Sequence, residues 1–69
     1  MEFYDGKRFM VKEDDWVQEK YRNATGTVVS VEYCYGETIL SVVIDGESEV
    51  KRVKAKFVIP LDTLGMEVL

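Results

Sequence analysis

The stretch Tyr21-Arg22-Asn23-Ala24-Thr25-Gly26-Thr27-Val28-Val29-Ser30-Val31 decides the fold. A short polar loop runs through one glycine into a run of β-branched residues, which suit a pleated, half-buried surface. Glycine inside such a run marks a bulge, a bend or a close approach of backbone. Asn23 tolerates the left-handed conformation that a tight loop asks of one of its residues. The stretch predicts a loop closing into a strand over 25–34.

Upstream, Gly6 precedes a first strand over 7–12. The polar segment 13–20, Glu-Asp-Asp-Trp-Val-Gln-Glu-Lys, then forms a long loop with room for one helical turn. Downstream, Tyr35-Gly36 breaks the second strand, and 37–44 restarts as a third with Leu40, Val42 and Ile44 on one face by strict alternation. Asp45-Gly46 is a strong hairpin signal and is expected to be the tightest turn. A fourth strand should follow directly and run to about Ile59, with Val53, Ala55 and Phe57 inward and Arg52, Lys54 and Lys56 on the other face. Pro60 cannot donate to a ladder, so a single turn at 60–62 and a short closing strand at 66–69 complete the reading. No window holds an apolar spacing of three and four for several turns.

The chain has 69 residues, enough for one domain, expected over 1–69. A chain this short buries only about 60% of the surface that its unfolded form exposes. Cys34 is its one cysteine and there is no histidine, which removes an intrachain disulfide and the usual zinc, haem and copper ligand. Nucleophilic catalysis would lack its commonest base. Asp14 and Asp15 lack the alternating oxygen ligands of a calcium loop and are expected to cap a turn or the start of a short helix. The expectation is therefore a protein that is not an enzyme and holds no metal or cofactor. The N-terminal residues do not read as a signal peptide and no apolar run approaches a membrane span. A cytoplasmic protein is the default.

The formal net charge is -4, which disfavours a generic phosphate-binding role. The charges are segregated, however. Residues 25–49 carry Glu32, Glu37, Asp45, Glu47 and Glu49 with no base, and 50–58 carry Lys51, Arg52, Lys54 and Lys56 with no acid. Adjacent antiparallel strands with opposite charges facing across the ladder explain this. The competing reading is a basic stripe for a polyanion.

Five short strands, a long first loop, tight hairpins and a turn before a brief last strand describe a small all-β, SH3-like barrel. With that order, Gly26-Thr27-Val28-Val29-Ser30-Val31 resembles the KOW motif of SH3-like barrels in ribosomal proteins and NusG-type elongation factors, with Gly26 as the motif's glycine and Asn23 where a second loop glycine is common. Asp14-Asp15-Trp16 followed by Gly26-Thr27-Val28 also resembles the SH3-like repeats of mind-bomb type ubiquitin ligases. These resemblances imply a binding module. A protein partner is the first expectation, with Asp14, Asp15, Trp16, Tyr21, Arg22, Tyr33 and Tyr35 as contact surface, since exposed Trp and Tyr are enriched in binding hot spots. Trp16 could instead fold back to plug the barrel end. A compact acidic domain of this kind would suit a phage or mobile-element product that modulates a host protein. The alternatives are a KOW-like module for RNA or a ribonucleoprotein, with Lys20, Arg22, Arg52, Lys54 and Lys56 as phosphate contacts, and an accessory subunit of an enzyme complex. Ile39 and Val43, opposite Leu40 and Ile44, are candidates for an exposed apolar patch or dimer edge, so a monomer or weak homodimer is expected.

Overall fold

The computed structural model describes residues 2–61. They form five antiparallel strands in one sheet, β1 Arg8–Val11, β2 Thr25–Cys34, β3 Glu37–Ile44, β4 Val50–Lys54 and β5 Val58–Pro60, in the order β4-β3-β2-β1-β5. The sheet curls around a core of Phe3, Phe9, Val11, Val28, Leu40, Val42, Ile44 and Val58. It does not close, because β4 and β5 are the two edges. The all-β, five-stranded expectation holds. Among the described residues no helix is long and apolar enough to cross a membrane.

Gly26 lies where the long first loop enters β2, paired with Phe9 on one side and Ile44 on the other. Packing, not backbone angle, demands glycine there. A Cβ on Gly26 would stand 2.4 Å from the Val43 carbonyl oxygen and 2.8 Å from Cζ of Phe9. Asn23 does adopt a positive φ, 66°, and its amide nitrogen donates to the Val11 carbonyl at 2.9 Å. Val11 in turn donates to the Ala24 carbonyl at 2.8 Å, which clamps the base of the loop.

One long strand serves two halves of the sheet because of a bulge. The β2–β3 register runs Val28↔Val42 and then Ser30↔Ser41, so Val29 is an extra residue. Inserting one residue reverses the alternation that follows. Gly26 and Val28 point inward before the bulge, and Val31, opposite buried Leu40, packs on the core after it.

Two expectations are corrected. The fourth strand does not run through to Ile59. It stops at Lys54, a 3-10 turn occupies Ala55–Phe57, and the chain leaves β3, the partner of β4, to pair as β5 with β1 through Val11↔Val58. The Lys12 amide donating to the Phe57 carbonyl at 2.8 Å holds that crossing. A turn thus lies at 55–57 where none was expected, Pro60 ends β5 at a sheet edge, where a missing N–H is tolerated, and the turn expected at 60–62 runs beyond the described residues. The expected closing strand at 66–69 lies outside the described residues. The expected facing does hold in this segment: Arg52, Lys54 and Lys56 are exposed, Val53 and Ala55 pack against the core, Phe57 is half-buried, and the fully buried residue is Val58. Second, the tightest turn is Tyr35-Gly36. Cys34 pairs with Glu37 directly across it, with φ of 50° and 79° at its two central residues, the sign that a type I′ turn requires. Asp45-Gly46 begins a longer connection, because the next β3–β4 pair is Val43↔Val50. Asp45 is held instead by β1 and β2, through its carboxylate and through an amide donating to the Thr25 carbonyl at 3.0 Å.

Candidate functional site

The long first loop is stiffened by its own polar residues. Asp14 Oδ1 accepts from the Trp16 amide at 2.8 Å, a local turn cap of the kind expected of the acidic pair. A 3-10 turn at Glu19–Tyr21 follows. Arg22 is half-buried. Its Nε donates to the carbonyls of Asp14 at 3.1 Å and Val17 at 3.2 Å, so the guanidinium braces the loop from within. Asn23 Nδ2 donates to Glu13 Oε1 at 2.8 Å and ties the two loop limbs together.

This bracing sets Trp16 out from the surface. The indole is 86% exposed and does not plug the barrel. It stands at the rim of a groove of about 270 Å³ between the first loop and the β3–β4 side of the sheet. Phe9, Val42 and Val53 contribute to its apolar floor, and Tyr21 and Phe57 join Trp16 around it. The Tyr21 ring carries two ammonium groups, Lys20 Nζ at 4.9 Å and Lys51 Nζ at 5.4 Å from its centre. Tyr21, and after it Glu47, hold Lys51 above its ordinary pKa, so it is charged at neutral pH.

The remaining contact candidates do not converge on this groove. Tyr35, wholly exposed on its hairpin tip, lines a separate shallow depression with Cys34, Glu37 and Lys54. Tyr33 is 62% exposed on β2. Asp15 is exposed next to Trp16. Ile39 and Val43 are half-buried, not an exposed patch.

The basic stripe is an ion-paired sheet face. Arg52 pairs with Glu32 of β2 across the intervening β3, Lys54 Nζ lies 3.4 Å from Glu37, and Lys51 Nζ lies 3.5 Å from Glu47. Of the polyanion candidates, Arg52 and Lys54 face carboxylates and Arg22 is turned into the loop. Lys56 rests over the Phe57 ring at 5.3 Å. Among the described residues no group of three or more His, Cys, Asp or Glu is placed to hold a metal ion.

Reading the sequence found Trp16 and Tyr21 but missed Phe9, Val42, Lys51 and Phe57 as groove residues. The inward-face assignment of Phe57 was a partial signal. The others come together only through the sheet. No family model, curated protein or solved structure matches the chain.

Proposed function

We propose that the chain is a small, non-enzymatic, SH3-like binding module that contacts a protein partner through the Trp16 groove. The observation that carries this reading is the position of Trp16. An isolated domain gains nothing from holding its one tryptophan in water, yet a turn cap, an arginine brace and an asparagine tie hold the loop that presents it. Exposed aromatics on a rigid frame beside an apolar groove are how binding surfaces concentrate their energy. The strand order, the long first loop and the 3-10 turn before β5 support the SH3-like assignment. The pairing of Arg52 and Lys54 with acids weighs against phosphate contacts.

Affinity capture with the tagged chain and its Trp16→Ala variant, side by side, tests the reading. A protein retained by the first and lost by the second is the expected result. Capture of RNA alone, or an identical set of proteins on both, would overturn it.

A further inference from the structure

The charged groups at the groove are one-sided. Lys51 and Arg52 are the charged residues among its lining, and no carboxylate lines it. Arg52 is spent on Glu32, whereas the ion pairs of Lys51 are long, 3.5 Å to Glu47 and 4.0 Å to Glu49, and its other neighbour is Tyr21 of the groove wall. Charge-assisted hydrogen bonds are normally about 2.7–2.9 Å, so these contacts can be exchanged for a better one. Lys20, on the same Tyr21 ring, makes no ion pair among the described residues. Two ammonium groups thus meet at one aromatic wall, and the carboxylates near Lys51, Glu47 and Glu49, are not among the groove's lining. Screening beyond about 8 Å at physiological salt leaves the near charges in control.

Resting on the protein-binding reading above, we propose that the groove seats a short segment of a partner in which a large apolar side chain lies within two residues of an Asp or Glu. The apolar side chain enters between Trp16, Tyr21 and Phe57, and the carboxylate takes up Lys20 and Lys51. The groove's volume, about 270 Å³, is below that of typical small-molecule sites and suits an anchor side chain better than a cofactor.

Selection from a random dodecapeptide library displayed on phage, run in parallel on the full chain, Trp16→Ala and the double variant Lys20→Gln/Lys51→Gln, tests this. Glutamine removes the charges without adding repulsion toward Glu47 and Glu49, and thermal melting confirms that each variant is folded. The expected result is enrichment of peptides that place Leu, Ile, Met, Phe or Trp within two residues of Asp or Glu. Trp16→Ala should abolish the enrichment. The double variant should lose the acidic preference and bind a synthetic enriched peptide about tenfold more weakly. Peptides that need Trp16 but show no acidic preference, or that bind the double variant equally well, would overturn the proposal and leave protein binding standing. No enrichment, or enrichment indifferent to Trp16→Ala, would overturn both.

Discussion

Arg8 and Asp45, 37 residues apart in sequence, face each other squarely, with the guanidinium donating to both carboxylate oxygens at 2.8 and 2.6 Å. Arg8 lies on β1 and Asp45 just beyond β3, so the pair spans β2. The same carboxylate accepts from Thr25 Oγ1 at 2.7 Å and the same guanidinium donates to Thr27 Oγ1 at 2.9 Å. A two-point fork between planar groups fixes orientation as well as distance, and here it locks three strands together at the end where the first loop enters the sheet.

This clamp should make stability depend on acid. Arg8 first, and then Thr25, hold the Asp45 carboxyl well below the usual carboxylate range. A group whose pKa is depressed on folding stabilises the fold above its unfolded value, about 3.9 for Asp, and loses that contribution as pH falls toward the folded value. Asp45→Asn should therefore lower the denaturant midpoint at pH 7 and differ less from the parent at pH 3. A midpoint difference that is the same at both pH values would show that the pair contributes nothing specific.

Gly26→Ala should damage the fold although alanine is small. The methyl group would overlap the Val43 carbonyl, which is backbone and cannot swing away. Overpacking costs about 1–3 kcal/mol, occasionally more, against a total of roughly 3–10 kcal/mol for a domain of this size. Thermal melting measures it, and an unchanged midpoint would contradict the β2–β3 register.

Two phenylalanines should behave differently. Phe9 has no exposed surface, so Phe9→Ala should cost about 3–5 kcal/mol and leave the domain largely unfolded. Phe57 is half-buried at the groove, and Phe57→Ala should cost distinctly less. Equal losses in denaturant titrations would place Phe57 in the core after all.

Tyr35→Asn should stabilise the protein. Tyr35 is wholly exposed and held at a φ of 50°, where a bulky residue is strained, and Asn-Gly is the preferred pair for such a turn. A gain of about 0.5–1 kcal/mol follows from relieving that strain. A loss of stability would mean that the Tyr35 ring contributes contacts beyond those its exposure suggests.

The middle of the fold was legible because its signals are local. The alternation through Leu40, Val42 and Ile44 and the breaks at Tyr35-Gly36 and Asp45-Gly46 set β2 and β3 with their observed bounds. The 3-10 turn at Ala55–Phe57 was not legible. Val53, Ala55 and Phe57 continue the strand alternation without a glycine or proline, and the chain turns there only because Val58 finds Val11 on β1. A demand made by a distant strand leaves no mark on its neighbours in sequence. The site divides in the same way. Trp16 drew notice by its chemistry in a charged loop, whereas the brace role of Arg22 depends on where two carbonyls lie once the loop has closed.

The open seam gives the cations of β4 a further consequence. An unpaired strand edge is a template on which another chain can grow, and lysine along an edge is a common safeguard against it. Lys51, Arg52 and Lys54 occupy three of the five positions of one edge strand, and Pro60 ends the other. Two copies meeting β4 to β4 would have to accommodate six long charged side chains, each already held by a carboxylate of its own chain. The stripe that resembles a ligand signal in the sequence thus stands where an edge safeguard is needed, and replacing Arg52 and Lys54, which lie off the Lys20–Lys51 pair, by apolar residues is expected to favour fibre-like self-association.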